Sequence, residues 1–362
     1  MTLRPKKLDA YIFKKFILTF LVSLLLIIIL VIVFDAGEKI DKFVQNEAPL
    51  KSIIFDYYLN FIPYFVNMYS PMFVFITVIV FTSRMAANSE IIAILSNGVS
   101  YHRMMVPYIV ASALIALFSL ALNLWVIPES NVERLAFENV YVKNRNTAVR
   151  DVHYQIAPGQ FAYVESFSTW NNTAYKFTLE TIEDNQITSK LSAETATWDS
   201  LSGAWQLKNY FIRDYSSGLS DRVVTGGQKD TVIALTVDDF YRNSLTVQTL
   251  DYGDLEALIR TQKMRGDANV MYAQIEKHNR WAMPFSAIIL TIIGVALSSR
   301  KKRGGIGWNL ALGIALAFSY ILFQRFAQMF VYTDILPPGL AIWIPNLLFA
   351  IIAAILYRMA PK

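Results

Sequence analysis

The sequence predicts a polytopic α-helical membrane protein of six spans, with an all-β, jelly-roll-like domain inserted between the third and fourth. Three observations predict it. The 362 residues are 54% hydrophobic and only 17% charged, too apolar for an ordinary soluble domain. Six uncharged runs approach or exceed the ~20 residues that a bilayer core requires. Between the third and fourth runs the texture changes to charged, alternating segments cut by turn residues.

Residues 16–34 hold no charge, follow Lys14 and Lys15, and are followed by Asp35, which reads as a first span running outward. The run is too long for a signal peptide and has no small-x-small cleavage site after it, so it is expected to stay as an anchor. Residues 35–56 are mixed and slightly acidic and are assigned outside. Residues 57–83 form the second span, with Pro63 and Pro71 inside it. Proline at membrane depth is tolerated where neighbours satisfy the freed carbonyls, so this span is expected to kink and to face protein.

Arg84 returns the chain to the cytoplasm. A short helix of about nine residues is then expected from Glu90, with Asn88 or Ser89 as cap, Glu90 in the first turn and Gly98 as the left-handed stop. Helical spacing groups Ile91, Ile92, Leu95 and Val99 on one side. Such a helix between two spans lies along the membrane face, as a handle for another protein or as a plain connector. Residues 104–128 are the third span.

From 129 to 280 alternation takes over, at 160–165, 175–180, 205–212 and 231–235. The punctuation is Pro158-Gly159, Asp184-Asn185, Ser202-Gly203, Ser217-Gly218 and Gly226-Gly227. Phe161, Tyr163, Phe177, Trp205 and Phe211 are assigned inward, chiefly as core, with a groove for acyl chains as the other use. Residues 254–280 read as a helix leading back to the membrane. Spans four to six are placed at 281–299, 304–324 and 335–357. The expected division is thus 1–128, 129–253, 254–280 and 281–362.

The net charge of +5 is concentrated beside apolar runs, at Lys6, Lys7, Lys14, Lys15 and in Arg300-Lys301-Lys302-Arg303, so it speaks for topology and against nucleic acid. The positive-inside rule puts both termini, the 84–103 loop and the 300–303 loop in the cytoplasm and the β domain outside. With no cysteine and three scattered histidines, no metal or cofactor site is expected. No phosphate-binding glycine loop and no H-E-x-x-H appears, and Gly226-Gly227-Gln228-Lys229 is read as a hairpin between strands. No charge interrupts mid-span, as a proton or ion relay would require. No catalytic residue is assigned, and any energy for transport comes from a partner.

At the handle the sequence resembles a known family. Ser89-Glu90-Ile91 followed by Gly98-Val99-Ser100 resembles the coupling-helix motif of the LptF/LptG (YjgP/YjgQ) permeases of the lipopolysaccharide-export ABC transporter. Leu8-Asp9-Ala10-Tyr11-Ile12 resembles the opening of the LptG branch, and Glu276, Arg280 and Pro284 resemble the start of that family's fourth span. The resemblance implies a bacterial inner-membrane permease paired with a second one over a cytoplasmic LptB-like ATPase dimer. It also implies lipopolysaccharide as substrate, taken from the outer leaflet and passed through a periplasmic jelly roll to LptA/LptC-like bridge proteins. Glu90, Ile91, Leu95 and Gly98 then become the ATPase-coupling residues. Lys39, Lys42 and Arg325, near the outer interface, become candidate contacts for lipid phosphates, or else helix-end anchors that snorkel. Where the family carries a basic position slightly earlier in span one, this chain reads Val33-Phe34-Asp35. The stripes Leu24, Ile28, Val31 and Ile314, Phe318, Ile321 either line a cavity or form helix seams. The other class of function compatible with the layout is a membrane-anchored periplasmic binding or adapter protein without transport.

Overall fold

A computed structural model describes residues 7–142, 148–184, 186–215, 222–241, 246–267, 269–299 and 305–360. The basic cluster at 300–303 and the Ser217-Gly218 turn lie outside the described residues. The helices are α1 (Lys7–Gln45), α2 (Leu50–Ser52), α3 (Leu59–Ala87), α4 (Glu90–Ser96), α5 (Tyr101–Ala121) and α6 (Ile127–Tyr141). After the sheet come α7 (Val237–Tyr241), α8 (Tyr252–Met264), α9 (Val270–Ser298), α10 (Gly305–Tyr332) and α11 (Pro338–Met359). The described residues contain six helical stretches long and apolar enough to cross a membrane. The chain divides into two units, 1–137 with 274–362, and 138–273.

Helices outrun the expected spans. α1 continues from the apolar run through Gln45, about 58 Å at 1.5 Å per residue, so the polar stretch after Asp35 begins as helix. The third span passes through a π-helical stretch, Leu122–Val126, into α6 and stays helical to Tyr141. Pro63 and Pro71 stand inside α3, which continues the π-helical stretch Ile53–Tyr58. The return helix is broken: α8 ends at Met264, and Gly266, at φ +62°, turns the chain before α9 begins. A left-handed residue is where glycine ends a helix at least cost.

α3 is the axis of the first unit. Its Phe73, Val74, Val78 and Phe81 pack with Ile12, Phe16 and Phe20 of α1 and Met104, Tyr108 and Ala111 of α5. Its Phe75 and Ile79 pack with Leu290 and Ile293 of α9, Tyr320 of α10 and Phe349 of α11. In lipid the hydrophobic effect does not join helices, so close approach and polar ties must do it. Gly313 supplies the approach on α10, since a Cβ there would stand 2.0 Å from Ile79 Cδ1. On α9, Gly294 does the same against Val78.

The polar ties gather around Pro284. Proline has no N–H for the carbonyl four residues earlier, here that of Arg280. The Asn123 side-chain amide, carried on the π-helical stretch, donates to that oxygen at 3.5 Å. Asn346 of α11 donates to the Ala282 carbonyl at 2.7 Å and accepts from Tyr320 at 2.9 Å. Asn67 of α3 joins the group, donating to Asn123 at 2.7 Å and accepting from Ser119 at 2.6 Å. A buried amide left without these partners would cost about 1–3 kcal/mol.

In the second unit six antiparallel strands run in chain order: β1 (Ala148–Ala157), β2 (Gln160–Ser168), β3 (Thr173–Glu183), β4 (Gln186–Asp199), β5 (Ala204–Asp214) and β6 (Arg222–Thr231). The all-β insertion is present, and its described strands form one meander. One sheet face carries Ala162, Val164, Phe167, Phe177, Trp205 and Leu207, all buried. α7 closes that face. Phe240 stacks on Phe167 at 4.2 Å between centroids, and Trp205 Nε1 donates to the Leu235 carbonyl at 2.7 Å.

Three expectations change here. Residues 232–235 are not a strand but part of the cover over the core, with Leu235 buried. Gly226-Gly227 is not a hairpin but the middle of β6. A Cβ on Gly226 would meet the Tyr210 ring at 2.6–2.7 Å, so the cross-strand aromatic occupies the space a side chain would need. Of the five aromatics assigned inward, Phe177 and Trp205 are core, whereas Phe161 and Phe211 are exposed and Tyr163 is half-exposed.

A polar seam crosses all six strands. Asp151, Glu165, Lys176, Glu194, Asn209 and Gly227 are each skipped by the pairing register, and Asp151, Lys176 and Asn209 take positive φ near 50°. The skipped residues stand opposite one another, so the register is kept while the buried positions change parity across the seam, as with Val164 and Phe167 of β2. Lys176 donates to Glu165 at 2.5 Å and Asn209 to Glu194 at 2.6 Å. The Glu165 hydrogen bond holds the Lys176 ammonium above its ordinary range. A groove of about 360 Å³ opens at the seam, between Lys176, Ser192, Glu194 and Phe211.

Candidate functional site

α4 is seven residues long and held at both ends by backbone geometry. Gly98, at φ +81°, donates to the Leu95 carbonyl at 3.0 Å and ends it as expected. The start differs from expectation. Ser89 is left-handed at φ +60°, its side chain caps no α4 amide, and its carbonyl accepts from Ala93 at 3.0 Å. Asn88 donates instead to the Glu90 carboxylate at 3.3 Å. Ser100 caps the following helix by accepting from the Arg103 amide at 3.3 Å.

The faces of α4 also sort differently. Ile91 is buried in the core shared by α1, α3 and α5, with Ile94 and Leu95 packed against it. Ile92 points the other way, 51% exposed, beside exposed Ala93, Ser96 and Asn97. One side of this short helix is therefore pinned to the bundle and the other is presented outward.

Glu90 joins α4 to α1. The Tyr11 hydroxyl donates to Glu90 Oε2 at 3.0 Å, and the Lys15 ammonium donates to Tyr11 at 2.5 Å. A second tie runs parallel to it, with Arg103 Nη2 of α5 donating to Asp9 Oδ2 at 2.5 Å. A third links His102 Nδ1 and the Tyr357 hydroxyl of α11 at 3.0 Å. Sequence reasoning noticed Asp9 and Tyr11 only as part of an opening motif. The structure makes them the anchors of the Glu90 loop, and a motif separated from its partner by 79 residues gives no periodic signal of that pairing.

The candidate phosphate contacts stand on two helices. α1 packs on α3 and α5, and α10 packs on α3 and α11. Lys39 is bound within the protein: its ammonium pairs with Asp35 one turn earlier at 2.8 Å, hydrogen-bonds Tyr57 and lies 4.7 Å from the centre of that ring. Tyr57 in turn donates to Asp35 at 3.0 Å. Lys42 and Arg325 are exposed, and Arg325 has Gln328 at 3.4 Å and exposed Leu322, Phe326 and Met329 around it. Leu24, Ile28 and Val31 are half-buried on the bundle side of α1, and Leu24 packs into the core. The exposed stripe is the opposite one, Leu18, Leu21, Leu25, Ile29 and Val33. On α10, Ile314 and Phe318 are exposed while Ile321 packs inward.

Six apolar helices long enough to span, an inserted β domain and a short helix fastened to the bundle define a multi-pass membrane protein. The family model for the lipopolysaccharide export system permease LptF/LptG matches residues 10–359, and this chain belongs to that family. It is a component of a lipopolysaccharide export transporter that works with partner proteins. A search of curated proteins finds no match to the chain.

Proposed function

We propose that this chain is the permease through which a separate cytoplasmic ATPase dimer drives lipopolysaccharide out of the outer leaflet of the bacterial inner membrane. α4 is the element on which the ATPase acts. The observation that carries this reading is the mounting of α4, with Ile91 in the bundle core, Glu90 tied to Tyr11 of α1, and Ile92, Ala93, Ser96 and Asn97 presented outward. A push on the outward face passes into α1, α3 and α5 through Ile91 and into α1 again through Glu90. An interfacial carboxylate also gives a partner's basic side chain a charge to read, which fixes register.

The positive-inside rule supports a cytoplasmic position for both termini and for α4, and a periplasmic one for the β domain. In keeping with this, Asp9 and Tyr11 near the start of α1, Glu90 of α4, His102 and Arg103 of α5, and Tyr357 near the end of α11 are joined by neighbouring contacts. A second permease of the same family completes the lipid path. The weakly buried spans α1 and α10, in whose most apolar stretch only 11% and 22% of the residues are buried, are the surfaces it has to cover. The β domain hands the lipid on to LptA/LptC-like β proteins. Purification of the wild-type chain from native membranes in mild detergent tests the proposal. A cytoplasmic ATPase and a second permease should accompany it, and recovery of the chain with no ATPase would overturn the reading.

A further inference from the structure

We infer that the first unit holds a binding site for an anionic phospholipid, separate from the path proposed for lipopolysaccharide. A cavity of about 310 Å³ lies between α5, α9 and α11, within the range of small-ligand sites. His102, Met105 and Ile109 of α5 form one wall, and Ile289 and Ile292 of α9 form the second. The third wall is α11, where Ala350 and Ala354 keep the cleft open because their side chains are too short to fill it.

The chamber is apolar and its polar groups collect at one end. His102 and Tyr357 meet there at 3.0 Å. Residues four apart on a helix stack along one face, so the row Ala350, Ala354 continues one turn on to Arg358, which is exposed. The site thus has an acyl-sized trough closed by a histidine and a phenol, with exposed Arg358 one turn further along the same face of α11, at the level where the spans end. A cation beside an apolar cleft between spanning helices at a membrane surface is suited to a phosphodiester head group, and the trough to one of its chains. Free phosphate would leave the trough empty, and a neutral lipid would leave Arg358 unanswered. On the orientation proposed above the site faces the cytoplasmic leaflet; binding itself does not depend on that orientation.

Native mass spectrometry of the detergent-purified transporter, supplied in turn with phosphatidylglycerol, diacylglycerol and inorganic phosphate, tests the site. The wild type should retain one phosphatidylglycerol and neither of the others. Arg358→Gln should weaken retention about fivefold, the expected effect of one cation at a lipid surface. Ala354→Phe fills the trough and should abolish retention while both variants still purify with the second permease. Retention by Ala354→Phe equal to wild type, retention of diacylglycerol as strong as of phosphatidylglycerol, or loss of the second permease on Ala354→Phe would each overturn the assignment. The last result would mean that protein, not lipid, covers the cleft.

Discussion

Glu90→Lys should separate this permease from its ATPase. The substituted ammonium would face Lys15 across Tyr11, where wild type has a cation, a phenol and a carboxylate in sequence. It would also offer the partner a charge of the wrong sign. Like charges brought together at an interface cost several kcal/mol, so the ATPase recovered with the permease should fall at least about tenfold. Glu90→Gln keeps an oxygen to accept from Tyr11 and gives up the charge and the Asn88 contact, and recovery should stay within about fivefold of wild type. Tyr11→Phe removes the tie to α1 and leaves the charge in place. Equal recovery with Glu90→Lys and wild type would show that Glu90 lies outside the contact.

The second large effect is expected on α1 and α10, at the ends proposed to face outward. Lys42 and Arg325 are exposed cations, and each is worth about 1 kcal/mol against an anionic lipid surface. Lys42→Ala combined with Arg325→Ala should lower photocrosslinking of lipopolysaccharide about thirtyfold while ATPase recovery is unchanged. Lys39→Ala belongs to a different class of result. It leaves Asp35, 13% exposed, with a carboxylate that Lys39 had neutralised, and the fold itself should weaken by about 1–3 kcal/mol. Replacing Asp35 by Asn in the Lys39→Ala chain removes the unpaired carboxylate and should restore the thermal midpoint. Undiminished crosslinking in the Lys42→Ala, Arg325→Ala chain would remove these residues from the lipid path.

The membrane part of the fold was legible because lipid imposes one rule on every span, a long uncharged helix, and the sequence obeys it six times. The helix ends were not, since polar residues such as those of 35–45 and 129–141 continue a helix without changing its hydrogen bonds. In the β domain, the alternation in β2, β3 and β5 was readable. β6 was hidden by Gly226 and Gly227, which look like a turn until the Tyr210 ring is seen to occupy the side-chain space. The seam explains why Trp205 and Phe211 of β5 went to opposite faces, because the skipped Asn209 between them shifts the parity.

At the candidate site, Glu90 and Gly98 were marked by helix-end chemistry, whereas Tyr11, Asp9 and Arg103 were not. Their meaning lies in contacts between segments about 80 to 95 residues apart. The restraint on Lys39 was half visible: Asp35 sits at the spacing of a helical ion pair, but Tyr57 arrives from another helix.

The account depends on α4 and the β domain lying on opposite sides of the membrane. The chain has no cysteine, so single substitutions report without background. Ser96→Cys on the outward face of α4 and Ser202→Cys in the β4–β5 turn are both at exposed positions. With a membrane-impermeant maleimide added to spheroplasts, Ser202→Cys should label at once and Ser96→Cys only after the membrane is permeabilised. Labelling of Ser96→Cys in intact spheroplasts at the rate of Ser202→Cys would contradict the proposal that an ATPase drives this permease from below.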